Sequence, residues 1–167
     1  MKKLFVTLFA ALAFVSCLDN DDLRVEGSKN YAYEGSLVTR YLDSGEVAYD
    51  SKTETTEDGA EKRYNANVEV PDVNVHTLNI AFEGVKFVSR MPELAITIPN
   101  LAYTVGADGL WVVDCPSVIP TIKGVEYPDF EMRELTCAIT GESLQLEFDI
   151  TAMGADYHVV YSAIVQQ

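Results

Sequence analysis

Apolar and polar residues alternate one by one along most of the chain after about residue 30. The clearest case is the set Leu144, Leu146, Phe148 and Ile150, whose members are separated by single polar residues. A period of two residues places successive side chains on opposite faces of a β-strand. This segment is therefore predicted to be a half-buried strand with Phe148 facing a core.

The same alternation predicts about eight to ten short strands, separated by turns that contain Gly, Asp, Asn or Pro. No window shows the apolar period of an amphipathic helix. Pro92 and Pro99 cannot donate a hydrogen bond to a neighbouring strand, so they indicate strand ends, an edge or a bulge. The predicted strand segments are 31–42, 47–56, 62–70, 75–82, 85–88, 94–98 with 101–105, 110–114, 135–139, 144–151 and 157–165.

Residues 115–128 form the longest stretch without a clear strand pattern, and they include three prolines. We interpret this stretch as a crossover or lid that closes one end of the core. A binding loop is the alternative, because long ordered loops often carry function.

Short antiparallel strands in a single domain predict an all-β fold. The favoured architecture is an antiparallel up-and-down β-barrel, because closure removes exposed sheet edges. A β-sandwich is the alternative, since two packed sheets also bury their inner faces. The hydrophobic content of 48% excludes a disordered chain.

The first residues have the pattern of a secretion signal. Two lysines precede an apolar run of 12 residues, 4–15, which is too short to span a bilayer. Residues 14–17 then resemble the lipobox of bacterial lipoproteins, with a small residue directly before a cysteine. We therefore expect Cys17 to carry a lipid after removal of the signal peptide.

Acidic residues follow that cysteine at Asp19, Asp21 and Asp22. This cluster resembles the export signal behind the lipidated cysteine of many Bacteroidetes surface lipoproteins. It predicts an outer-membrane protein that is lipid-anchored and exposed at the cell surface; a flexible acidic spacer facing the periplasm is the alternative. The predicted divisions are a signal peptide at 1–16, an acidic tether at 17–30 and the barrel domain at 31–167.

The barrel domain resembles the calycin-like, or lipocalin-like, lipoprotein domains of Bacteroidales. The resemblance rests on the opening strand at 33–37, the run 87–99 with its Met-Pro and Ile-Pro pairs, and the closing hairpins. It extends over about 31–167. It implies an up-and-down β-barrel in a secreted, lipid-anchored protein, and it supplies no established catalytic or ligand-binding residues.

The charge of the chain excludes one class of partner. There are 26 acidic residues and 12 Lys or Arg, which gives a formal charge of −14. Such a chain has no basic surface for phosphate backbones, so we expect no nucleic-acid partner. Membrane attachment is expected to depend on the lipid at Cys17 and not on a basic patch.

No catalytic or cofactor motif is present, including HExxH, GxSxG, a phosphate-binding loop and a dinucleotide fingerprint. We therefore predict a non-enzymatic protein without a cofactor or a metal site. His76 and His158 are interpreted as ordinary strand residues. Glu147 and Asp149 are interpreted as members of a solvated polar face.

Two cysteines remain after Cys17. Cys115 and Cys137 form an even pair in an oxidising compartment, which permits a disulfide. However, Cys137 alternates with Leu135 and Ile139, as a buried free thiol would. The sequence leaves both alternatives open.

Four aromatic residues, Trp111, Tyr103, Tyr127 and Tyr161, are candidates for lining a ligand site; core packing is the alternative. The leading hypothesis is a barrel that binds a small apolar or amphipathic ligand, or a glycan, in its mouth. The alternative is a structural or protein-interaction module at the cell surface. An open apolar interior would favour the first hypothesis, and an interior filled by side chains would favour the second.

Overall fold

The computed structural model describes residues 29–166, in which an 11-stranded antiparallel sheet is the dominant structure. Two single-turn 3₁₀ helices, Ser51–Thr53 and Pro128–Phe130, interrupt the connections. The strands are β1 (Lys29–Tyr41), β2 (Val47–Asp50), β3 (Tyr64–Val70), β4 (Thr77–Val85), β5 (Leu94–Val105), β6 (Trp111–Val118), β7 (Thr121–Ile122), β8 (Val125–Glu126), β9 (Met132–Ile139), β10 (Ser143–Ala152) and β11 (Ala155–Val165).

Eight of these strands close into a barrel. The pairing order β4-β3-β1-β11-β10-β9-β6-β5 is completed by contact between β5 and β4. Every barrel strand lies beside its neighbour along the chain, and β11 returns to pair with β1. The predicted all-β fold and the up-and-down β-barrel are therefore confirmed, and the β-sandwich alternative is wrong.

The three remaining strands pair with parts of barrel strands that extend beyond their barrel neighbours. β2 continues the pairing of β1 beyond β3, while β7 pairs with β5 and β8 pairs with β7. The first described strand starts at Lys29, which is two residues before the predicted start of the domain. The signal peptide, Cys17, Asp19, Asp21 and Asp22 lie outside the described residues.

The barrel interior is filled by buried side chains of the eight barrel strands, mostly from alternate positions. In β10, Leu144, Leu146, Phe148 and Ile150 are buried, as the alternation predicted. Aromatic rings occupy much of the space. The fully buried set includes Tyr33, Tyr64, Tyr161, Phe87 and Phe148.

A loop at residues 86–93 closes the end of the barrel at which β4 ends and β5 begins. Phe87, Val88 and Met91 of this loop are buried, and Phe87 contacts Phe148 edge-on at 5.5 Å between ring centroids. The prediction of a strand at 85–88 was therefore wrong beyond Val85, because these apolar residues cover the core from its end.

Prolines occur in this sheet where the pairing is irregular. Pro99 and Asn100 lie within one continuous strand, β5, at a register shift opposite β4. Asn100 has a left-handed φ of 55°. This is the bulge that Pro99 indicated, and it joins the two segments that alternation had separated.

The stretch 115–128 is part of the sheet, so its prediction as a crossover or lid without strands was wrong. β6 continues through Cys115 to Val118 because it pairs with β9. Pro116 is tolerated in that strand because β5 pairs with β6 only over Tyr103–Val105. Beyond that point, the small hairpin of β7 and β8 adds to β5.

Candidate functional site

An aromatic cluster closes the other end of the barrel, where β5 ends and β6 begins. Tyr103 stacks on Trp111 with 4.7 Å between ring centroids, and His76 stacks on Tyr103 at 5.4 Å. Tyr31 contacts Trp111 edge-on at 6.0 Å. We call these four residues the mouth cluster. Two of the four aromatic candidates from the sequence, Tyr103 and Trp111, meet here.

The mouth cluster leaves little space for a guest. Trp111 is 4% exposed and Tyr103 is 5% exposed. The cavity beneath them, lined by Tyr31, Tyr33, Trp111, Ile139 and Thr140, has a volume of about 10 Å³. That volume suits about one water molecule. The Tyr31 hydroxyl is buried and has no hydrogen-bond partner among the described residues, so it is a polar group that a water here could satisfy.

The other two aromatic candidates lie elsewhere. Tyr161 is fully buried in the middle of the core, where its hydroxyl donates to the Tyr64 carbonyl oxygen at 2.7 Å. Tyr127 is 42% exposed and stacks on Phe130 at 5.1 Å beside the second 3₁₀ helix. The structure therefore does not gather the four aromatic candidates into one site.

A larger concave site lies on the outside of the barrel. It is a cleft of about 410 Å³ between the outer faces of β1, β10 and β11 and the connection from β2 to β3. We call this connection, residues 51–63, the arm, and the space beneath it the outer cleft. The sequence offered no signal for this cleft, because it depends on where the arm lies relative to three strands.

The arm is fixed at its base by polar contacts. The buried Ser51 side chain accepts a hydrogen bond from the Leu37 backbone N–H at 3.0 Å. Leu37 lies in β1 between the residues that pair with β3 and those that pair with β2, so Ser51 satisfies a backbone donor there. The Asp50 side chain caps the 3₁₀ helix by accepting from the Lys52 backbone N–H at 3.0 Å. The arm therefore leaves the barrel in a defined direction.

Two ion pairs join the arm to the loop at 86–93. Lys86 Nζ lies 2.6 Å from Glu54 Oε1, and Lys62 Nζ lies 2.7 Å from Glu93 Oε1. Lys86 also lies over the Tyr49 ring, 5.3 Å from its centroid. These contacts hold one side of the arm against the end of the barrel that the loop at 86–93 covers. The other side of the arm faces the outer cleft.

The floor of the outer cleft is made of small residues at a close approach of two strands. A Cβ atom at Gly35 would lie 2.1 Å from the Ser162 carbonyl oxygen and 2.5 Å from Ala163 Cα. Only glycine fits there without backbone movement. Ser36 pairs with Ser162 at the next position, and Ser162 donates to Gln145 Oε1 at 2.7 Å.

Charged side chains of both signs line the walls of this cleft. Lys52 and Arg63 of the arm provide two cations, and Glu34 and Glu61 provide two carboxylates. Among residues 29–166, none of these four side chains forms an ion pair. Their hydrogen-bonding groups are therefore available to a ligand, and their formal charges cancel.

A second polar feature lies on the outer faces of β10 and β11. His158 Nδ1 lies 2.8 Å from Asp149 Oδ1, and its Nε2 lies 3.7 Å from Glu147 Oε2. The hydrogen bond to Asp149 and the nearby Glu147 carboxylate raise the pKa of His158 to about 9, despite partial burial. The nearby His158 imidazole in turn lowers the pKa of Glu147. We call these three residues the histidine bridge.

The histidine bridge was missed by the sequence interpretation, which placed Glu147 and Asp149 on a solvated face. Both carboxylates are partly buried, and the β10–β11 register puts Asp149 directly opposite His158. Counting outward from the turn at Met153 and Gly154 would have indicated this pair. No group of three ligating side chains in the described part of the chain is arranged to hold a metal ion.

The two described cysteines are both free thiols. Cys137 is 1% exposed, and burial raises the pKa of its thiol well above its usual range. Cys115 is partly exposed, and its Sγ donates to the Ser117 carbonyl oxygen at 3.3 Å. The sequence left open whether Cys115 and Cys137 form a disulfide. In the structure they do not, and Cys137 is the buried free thiol of the other alternative.

Comparison with known proteins assigns the chain to no family. No protein-family model matches the chain, and no curated protein matches it. The closed antiparallel barrel of eight strands is compatible with a calycin-like fold. Within residues 29–166, no helix is long and apolar enough to cross a membrane.

Proposed function

We propose that the chain is a cell-envelope lipoprotein whose non-enzymatic β-barrel recognises its partner on the outer surface and not in a central cup. Lipid on Cys17 would anchor it to the outer membrane, and Asp19, Asp21 and Asp22 would direct it to the cell surface. The lipobox-like residues 14–17 and the acidic cluster support this location. The resemblance to calycin-like lipoproteins of Bacteroidales supports it as well.

The observation that favours the outer surface is the filled interior of the barrel. Tyr33, Tyr64 and Tyr161 are each at most 1% exposed and occupy the core together with buried aliphatic residues. A small-molecule site usually needs about 300–1,000 Å³, whereas the cavity beneath the mouth cluster has about 10 Å³. A guest inside the barrel would have to displace several packed aromatic rings, which is costly in a close-packed core.

This choice between the outside and the inside of the barrel can be tested with Trp111. Its ring lies in the mouth cluster, so a ligand entering the barrel there would change its fluorescence. We expect no change in Trp111 emission or in melting temperature when fatty acids and sterols are titrated into the purified protein. A saturable change in emission together with a higher melting temperature would instead support a ligand site in the barrel mouth. A ligand at 100 times its Kd stabilises a fold by about 2.7 kcal/mol.

The anchor is tested by membrane fractionation of cells that express the protein. Cys17→Ala should move the protein from the membrane to the soluble fraction without changing its melting temperature. Cys115→Ala is the matched control and should stay in the membrane fraction. Retention of Cys17→Ala in the membrane would show that a different anchor exists.

The surface location has its own test. Replacement of Asp19, Asp21 and Asp22 by Ala should leave the protein in the membrane fraction but protect it from protease added to intact cells. Equal digestion of the variant and the parent protein would contradict the proposed export signal.

A further inference from the structure

We propose that the outer cleft is a binding site for an uncharged saccharide of one or two sugar rings. This inference deepens the proposed function and rests on its claim that recognition occurs on the outer surface. The volume of about 410 Å³ lies at the lower end of the range for small-molecule sites, about 300–1,000 Å³. The cleft therefore suits a short saccharide better than a folded partner.

The hydrogen-bonding groups of the cleft match a ligand that both donates and accepts. Lys52 and Arg63 can only donate, whereas the carboxylates of Glu34 and Glu61 accept. Each hydroxyl group of a sugar does both, so neighbouring hydroxyls can use donors and acceptors of the same wall. A ligand that only accepts, such as sulfate, would leave the two carboxylates unused.

The charge of the cleft favours a neutral ligand over a charged one. The two cations and two carboxylates of its lining cancel, while the whole chain carries a formal charge of −14. An anionic sugar would approach against that field and meet Glu34 and Glu61. A cationic ligand would meet Lys52 and Arg63. A neutral saccharide has neither cost.

The rigid floor and an apolar rim complete the site. The backbones of β1 and β11 approach closely at Gly35, and the hydrogen bond between Ser162 and Gln145 holds two polar side chains in place. Ile164 lines the cleft and is 62% exposed. Its side chain can pack against the C–H face of a sugar ring while hydroxyl groups meet the arm.

The test uses the full-length protein, purified in detergent, with cellobiose, maltose, xylobiose and chitobiose as neutral probes and digalacturonic acid as the acidic one. Binding is measured by calorimetry and by saturation-transfer NMR. We expect saturable binding of at least one neutral disaccharide and weaker binding of the acid. Loss of a hydrogen bond to a charged group should reduce affinity about tenfold in Arg63→Gln, whereas Arg90→Gln, an exposed residue outside the cleft, should bind normally.

A second variant pair tests the position of the site without removing a charge. Ser162→Tyr places a large side chain on the cleft floor and should abolish binding. Thr104→Tyr makes the same kind of change on the exposed outer face of β5 and should leave binding unchanged. Melting temperatures of both variants separate a blocked cleft from an unfolded barrel.

The outcomes distinguish this inference from the function on which it rests. Absence of binding for every neutral probe would overturn the saccharide site alone. Tighter binding of digalacturonic acid that Arg63→Gln removes would overturn the uncharged class but retain recognition on the outer surface. Binding that survives Ser162→Tyr and changes Trp111 emission would place the ligand in the mouth, and both proposals would fail.

Discussion

The histidine bridge makes a specific prediction about stability and pH. His158 lies between two carboxylates that are themselves only 14% and 21% exposed, those of Glu147 and Asp149. Its pKa is raised from 6.5 to about 9 in the folded protein. A group whose pKa rises on folding stabilises the fold below its unfolded value, and the stabilisation is lost as the pH rises through the folded value. The bridge should therefore contribute fully below pH 6.5 and fade near pH 9.

The size of this contribution follows from the two pKa values. Each pKa unit corresponds to about 1.36 kcal/mol, so the change from 6.5 to about 9 sets an upper limit of about 3.4 kcal/mol. The imidazole is 24% exposed, and solvent screening reduces the effect of such a partly exposed pair. We expect about 1–2 kcal/mol for His158→Gln at pH 6, or roughly 3–8 °C in melting temperature.

The assay is urea unfolding of the parent protein and His158→Gln at pH 6 and at pH 10. The difference in unfolding free energy should be about 1–2 kcal/mol at pH 6 and close to zero at pH 10. Because only the difference is used, titrations common to both proteins cancel. In an Asp149→Asn background, His158→Gln should cost less at pH 6. An equal cost of His158→Gln at both pH values would refute this reasoning.

The core, the close approach of strands and the thiols each provide a further prediction. Phe148→Ala should lower the unfolding free energy by about 3–5 kcal/mol in denaturant titration, and a loss below about 1 kcal/mol would contradict its core position. Gly35→Ala should cost about 3 kcal/mol because its Cβ would overlap the backbone of β11. Gly59→Ala, at a left-handed φ of 86° in open space, should cost only about 1–2 kcal/mol. Peptide mass spectrometry after maleimide treatment should find Cys115 labelled in the folded protein and Cys137 labelled only after unfolding; equal labelling in the native state would contradict the buried thiol.

The fold was predictable from the sequence because its information is local. An alternating stretch such as the one around Phe148 records which face of a strand is buried, and the turn at Met153 and Gly154 records where the next strand begins. Irregular positions were harder to predict. Pro99 broke the pattern of β5 although the strand continues, and Phe87 is apolar without belonging to a strand, because it covers the core from one end.

The candidate site was less predictable because its residues come from separate strands. The aromatic residues proposed from composition separate in the fold: Trp111 closes the mouth, Tyr161 fills the core and Tyr127 stays on the surface. The outer cleft joins β1 to a strand near the other end of the chain, and its walls depend on the direction in which the arm leaves the barrel. No pattern in the sequence marked that place, because a single residue such as Gly35 does not identify a cleft.

The pairing of β1 with β11 has a consequence for how the molecule folds. Nine residue pairs seal these strands, and Tyr33 and Val165 are partners across 132 positions of the chain. The hairpins between can form early from local contacts, but the outer edges of β1 and β10 remain unpaired until β11 arrives between them. Closing so long a loop is slow, so a chain still lacking its final strand remains an open sheet, and the cooperative barrel exists only once those last residues are in place.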